Sequence, residues 1–209
     1  MKASMGGQST PLGRKLTGYV QIFRKHLSGG FGTPAIRVNH HGRLTRVFTH
    51  HVKRPVRGAR MLEVGCGQLA LSTALCAADG ADITGIDLEV PTFRLSLEKF
   101  VRIIHTNGME RAVKSLLRHA LFDGAYLRAL QRESGRSLDF LNLDTRIKSV
   151  LDLDFPNNHF DFIFSDMVFE HIEDVPRAVG QINRVLKKDG VCWNSIHLYA
   201  SLSGGHNLE

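Results

Sequence analysis

The stretch RMLEVGCGQLALSTALCAADGADITGID, residues 60–87, constrains this chain more than any other. An apolar segment, RMLEVG, runs into two glycines, Gly65 and Gly67. The helix-periodic stretch QLALSTALCAADG follows and is stopped by Gly80, and a second apolar segment, ADITGID, ends on an acid. Strand, tight turn, helix and strand in that order predict a βαβ unit. Two strands joined through a helix lie parallel, so the unit implies a sheet with helices on its faces.

The rest of the chain extends that pattern. HFDFIFSD is a continuous apolar run of strand length, and VCWNSIHLYA predicts a last strand. Between them, EDVPRAVGQINRVLKKDG carries a complete set of helix punctuation. Asp174 suits the N-cap, Pro176 the first turn, Lys187 and Lys188 the C-terminus, and Gly190 the stop. Residues 92–137 lack strand character. Met109, Ala112, Val113, Leu116, Leu117, Ala120 and Leu121 mark one helix, and Tyr126, Leu127 and Leu130 another. The expected fold is α/β, a doubly wound and mostly parallel sheet with a helical insertion between strands 2 and 3.

Charge divides the chain unevenly. Of 27 Lys and Arg residues, twelve fall within residues 1–60, while all 20 Asp and Glu residues come later, beginning at Glu63. Residues 1–58 therefore read as a basic N-terminal arm and residues 59–209 as the α/β domain. Within the arm, Leu16, Tyr19, Val20, Phe23 and Leu27 recur at helical spacing among Arg14, Lys15, Arg24 and Lys25. AIRVNHHGRLTRVF alternates at Ile36 and Val38 before a His-His-Gly turn and predicts a hairpin. A basic amphipathic helix at residues 14–27 offers peripheral contact with an anionic membrane, or a site for an anionic acceptor. Its bland alternative is a solvated basic surface.

Three scattered cysteines, Cys66, Cys76 and Cys192, form neither a disulfide framework nor a CxxC metal site, which fits a reducing, cytoplasmic setting. His40, His41, His50 and His51 are two adjacent pairs without an evident ligand geometry, so no metal is expected.

In a parallel sheet of this kind, ligands bind beyond the carboxyl ends of the strands. Three segments arrive there: the turn Gly65-Cys66-Gly67, then Asp87, then Ser165-Asp166. Gly65-x-Gly67-x-x-Ala70 formally satisfies a dinucleotide pattern, with a pyrophosphate on the following helix. Glu63 speaks against that reading, since a carboxylate disfavours a neighbouring anion and suits an ammonium or sulfonium. Alternatively, Glu63 pairs with a surface base such as Arg60.

MLEVGCG, GIDLE and FPNNHFDFIFSDMVFEHIEDVPRAVGQINRVLKKDGV, taken in order, resemble the class I S-adenosylmethionine-dependent methyltransferases, on the branch similar to the quinone-biosynthesis enzymes. The resemblance covers roughly residues 60–200 and implies a Rossmann-like domain that binds S-adenosyl-L-methionine. It places Glu63, Gly65, Cys66 and Gly67 around the methionine moiety, Asp87 on the ribose and Leu88 beside the adenine. The acid that the family carries near the adenine falls at Ser149, followed by Val150, and Leu69 stands where a third glycine is usual. Ser165 belongs to the same cofactor edge.

The resemblance further implies methyl transfer to a small-molecule, lipid-linked or sugar-linked acceptor. The amino-methylating and cytosine-methylating signatures of nucleic-acid enzymes are absent. His171, just past the fourth strand, is the candidate general base, with His197 as a second. A non-catalytic cofactor-binding module recruited through the basic arm, or an NAD-dependent oxidoreductase, are the alternatives. The family's closing antiparallel hairpin has no room in SLSGGHNLE. Missing C-terminal strands, edge cover by the 35–48 hairpin, or a partner subunit are the expectations that follow.

Overall fold

The computed structural model describes residues 33–89, 91 and 123–196, together with scattered positions between 101 and 116. Its core is a five-stranded sheet in the order β3-β2-β1-β4-β5. The strands are β1 (Arg60–Val64), β2 (Asp82–Asp87), β3 (Asp144–Ile147), β4 (Phe160–Asp166) and β5 (Leu186–Ser195), and every neighbouring pair is parallel. Four helices, α1 (Pro34–Val52), α2 (Leu71–Ala78), α3 (Gly124–Ser134) and α4 (Val175–Val185), accompany them among the described residues. The strand order reverses beside β1, which makes the β1/β4 boundary the topological switch point where a ligand crevice opens.

Strand register decides which residues face which layer. Met61 pairs with Ile83 and with Phe162, so these three share a face. There they pack with Phe164 against Leu44 and Phe48 of α1 and Cys76 of α2. The opposite face carries Leu62, Val64, Ile86 and Ile163, which pack on Ala178, Ile182 and Val185 of α4 and on Val150, Leu153 and Phe155. Period-two alternation within β1 and β4 thus supplies two cores, one on each side of the sheet.

The largest correction to the sequence reading lies at residues 35–48, expected as a hairpin and found inside α1. The Thr33 side chain caps this helix by accepting from the Ile36 N–H at 3.3 Å, and Pro34 opens it. Its buried stripe is His40, His41, Leu44 and Phe48, spaced for a helix. Two of those four are histidines, which read as polar in sequence, and Gly42 reads as a turn. Both features disguised the periodicity. Because α1 lies across a sheet face through Phe48 and Leu44, residues 35–48 do not pair along the edge of β5. The basic segment from residue 34 onward is therefore part of the core.

Two smaller corrections concern α4 and β3. The N-terminal signals of α4 are observed, with Asp174 accepting from the Arg177 N–H at 3.0 Å. The helix nevertheless ends at Val185, and Lys187 to Gly190 belong to β5, where the register with β4 shifts between Phe160 and Phe162. Lys187 instead reaches Asp161 at 2.7 Å. The strand DTRI, β3, has no apolar alternation, because it is an edge strand with no fully buried residue. A helix containing Tyr126, Leu127 and Leu130 is present as α3. The amphipathic stretch 14–27, most of residues 109–121, and His197 lie outside the described residues. No described helix is long and apolar enough to cross a membrane.

Candidate functional site

The carboxyl ends of β1, β2 and β4 surround a cavity of about 710 Å³. Its floor is the turn after β1. Gly65 and Cys66 both donate their N–H groups to the Ile86 carbonyl, at 2.8 and 3.1 Å, which draws the turn against β2. Gly65 and Gly67 have φ of +77° and +68°, backbone that side chains resist. At Gly65 space is also limiting: a Cβ would stand 2.2 Å from a Val168 methyl. The loop after β4 therefore closes directly on the glycine turn.

Asp87 locks the other side. One carboxylate oxygen accepts from the Gly67 N–H at 2.7 Å, and the second accepts from the Glu89 N–H, also at 2.7 Å. The side chain thus holds the glycine turn to the end of β2 while retaining further lone pairs to accept hydrogen bonds. Beside it Leu88 is 67% exposed, an apolar platform at the cavity wall. Ser149 makes a local turn by accepting from the Leu151 N–H at 3.1 Å, and Val150 stands next to it on the same wall.

Gly65, Asp87, Leu88, Ser149, Val150 and His171 line the cavity; Glu63, Cys66, Gly67 and Ser165 do not. Glu63 points to the α1/α2 side of the sheet, 5% exposed, and accepts from the Thr73 hydroxyl at 2.5 Å. Its neighbours are α2 and Arg37 rather than Arg60. Burial raises its carboxyl to about 7, against the hydrogen bond from Thr73 and the charge of Arg37, which both lower it. Burial likewise drives the Cys66 thiol far up, with Glu63 and Asp87 adding to the effect, so it is no nucleophile at neutral pH. Ser165 is fully buried and donates to the Asn194 side chain at 3.0 Å, a tie between β4 and β5. His171 is exposed at the cavity rim, at the end of the 3-10 turn Phe169–His171.

Sequence reasoning missed Lys148, Met167, Val168, Ile172 and Glu173 as cavity walls. Asp166 ends β4 and was visible as an edge residue; its partners come from α1 and were not. Arg37 lies 3.7 Å and His40 3.6 Å from its carboxylate. The other histidines have structural company: His41 bonds Asp79 at 2.7 Å, and the rings of His50 and His51 touch edge to face.

The crevice thus combines a glycine floor, an acid ending the second parallel strand and an apolar wall beyond it. A methyltransferase domain family matches residues 39–205. The chain belongs to that family. The match begins inside α1, in keeping with the place of that helix in the core. No curated protein matches the sequence.

Among solved structures, an S-adenosylmethionine-dependent methyltransferase from Mesorhizobium loti is similar at 17% identity and a TM-score of 0.37, over 66% of this chain and 46% of that one. The [4+2]-cyclase SpnF is similar at 24% identity and a TM-score of 0.37, over 69% and 40%. A phosphoethanolamine N-methyltransferase of Haemonchus contortus, in complex with phosphomonomethylethanolamine and S-adenosylhomocysteine, is similar at 19% identity and 0.39, over 69% and 26%. The chain spans less than half the length of each.

Proposed function

We propose that this domain binds S-adenosyl-L-methionine in the crevice at the ends of β1, β2 and β4 and directs its methyl group to a small-molecule, lipid-linked or sugar-linked acceptor. The observation that carries the reading is the Asp87–Gly67 clamp above a cavity whose floor tolerates no side chain at Gly65. When bound, the cofactor supplies an electrophilic methyl carbon on a sulfonium. Asp87 accepts hydrogen bonds from the ribose hydroxyls, Leu88 and Val150 cover the adenine, Ser149 borders it, and Gly65 with Gly67 admits the methionine portion. Glu63 and Cys66 shape this floor from behind, and Ser165 holds the end of β4 in line.

Methyl transfer is an in-line displacement, so holding the two reactants in position contributes much of the acceleration. His171, at the rim, is the candidate group to meet the acceptor. Small molecules rather than nucleic acids are the expected acceptors. The basic segment 14–27 is the proposed contact for an anionic surface, and an oligomer is compatible with the reading.

A dinucleotide reading loses one of its objections, since Glu63 lies behind the turn and is readily neutralised. It keeps no positive support from the family. Calorimetry of the full chain with S-adenosyl-L-methionine, S-adenosylhomocysteine and NAD tests the proposal. Micromolar binding of the first two with none of NAD supports it, and the reverse order refutes it. A folded protein that binds both forms but turns over no acceptor in a broad panel would move the reading to the non-catalytic binding module.

A further inference from the structure

The wall of the cavity formed by Asp166 has a second layer. Behind it, α1 brings His40 to 3.6 Å and Arg37 to 3.7 Å from the Asp166 carboxylate. His40 is 8% exposed, and neither of its ring nitrogens has a hydrogen-bond partner among the described residues. Its ring rests against Trp193 of β5, with centroids 5.7 Å apart. The Tyr126 hydroxyl of α3 stands near Arg37 and feels its charge. A buried imidazole with idle nitrogens forfeits the hydrogen bonds it had with water and is poorly explained by packing alone.

We infer that Asp166 and His40 form a proton-accepting pair on the α1 side of the crevice, with Asp166 touching the acceptor and His40 acting through it. This rests on the reading that the crevice binds S-adenosyl-L-methionine, and it narrows the acceptor to one bearing a hydroxyl or an N–H. The acceptor's oxygen or nitrogen gives its lone pair to the methyl carbon, and the carbon–sulfur pair stays with sulfur. The surplus proton passes from the acceptor to Asp166 and rests on His40. Asp166 is the candidate catalytic residue, while His40 and Arg37 are positioning residues. His171 at the rim retains a contact role.

The charges around His40 set its readiness. Burial lowers its affinity for a proton, and Arg37, His41 and Arg43 of its own helix lower it further, while Asp166 of β4 raises it. Trp193, facing it from β5, brings no charge. His40 is accordingly neutral in neutral solution and able to take a proton when one is released beside Asp166.

The test is a pH titration of the His40 ring by NMR in the full chain, assigned with His40→Gln. It is recorded in saturating S-adenosyl-L-methionine and again in S-adenosylhomocysteine, with binding of each verified by calorimetry. The two ligands differ by a methyl group and one positive charge. His40 should be neutral at pH 7 in both complexes and should titrate measurably lower with the charged ligand, since a like charge in the crevice disfavours its protonation. Asp166→Asn should lower the titration in both. Coincident curves in the two wild-type complexes, or a His40 protonated at pH 7, would overturn the pair while leaving the cofactor reading intact. Failure of both ligands to bind overturns that reading and this inference with it.

Discussion

Glu63 offers a direct measurement of what the fold imposes on one side chain. Its carboxyl is raised from an ordinary value of 4.5 to about 7, chiefly by burial. A raised carboxyl means that the folded protein holds this proton more tightly than the unfolded chain does. The stability gained from protonation is complete below pH 4.5 and is lost as the pH rises to about 7. At 1.36 kcal/mol per pH unit, the gap corresponds to about 3 kcal/mol. Glu63→Gln keeps the shape and an oxygen for the Thr73 hydroxyl but cannot ionise. Urea denaturation of both proteins at pH 4.5, 6 and 8 should show nearly equal stability at the lowest value. At pH 8 the variant should be more stable by about 2–3 kcal/mol, a rise in Tm of roughly 5–10 °C for a chain of this size. Parallel pH curves would refute the reasoning and place Glu63 in contact with water or a strong compensating charge. The same variant should bind S-adenosyl-L-methionine with nearly unchanged affinity, because Glu63 lies behind the cavity floor and is readily neutralised.

Further expectations follow from the same geometry. Asp87→Ala removes the acceptor for both the Gly67 and Glu89 N–H groups, so calorimetry should show cofactor affinity lowered about tenfold or more in a folded protein. Gly65→Ala places a methyl group 2.2 Å from Val168 at a φ of +77°, and should abolish cofactor binding. Adding Val168→Ala should recover thermal stability only in part, since the backbone strain remains. Phe48→Ala empties a fully buried site between α1 and the sheet, and chemical denaturation should record a loss of about 3–5 kcal/mol. A loss below 1 kcal/mol would detach α1 from the core.

The βαβ unit, the parallel sheet and the crevice at its carboxyl edge could be read from the chain. Glycines, an acid closing a strand and apolar periodicity are local signals with local causes. Asp87 and Leu88 stand at the cavity because a strand's end is a sequence property once the strand is recognised. Glu63 illustrates where that legibility stops. Its position in the turn motif was plain, but a strand side chain points to one face or the other by register, and pairing with Gly85 and Phe164 sent it behind the floor. Helix α1 shows the limit more sharply. Its stripe of His40, His41, Leu44 and Phe48 becomes apolar only when Asp79, Asp166 and Trp193 are there to receive the two histidines. Those partners lie 38 to 153 positions away along the chain. Local chemistry therefore determined the crevice and its glycine floor, whereas the wall of Asp166, His40 and Arg37 exists only through long-range packing of a helix across the sheet.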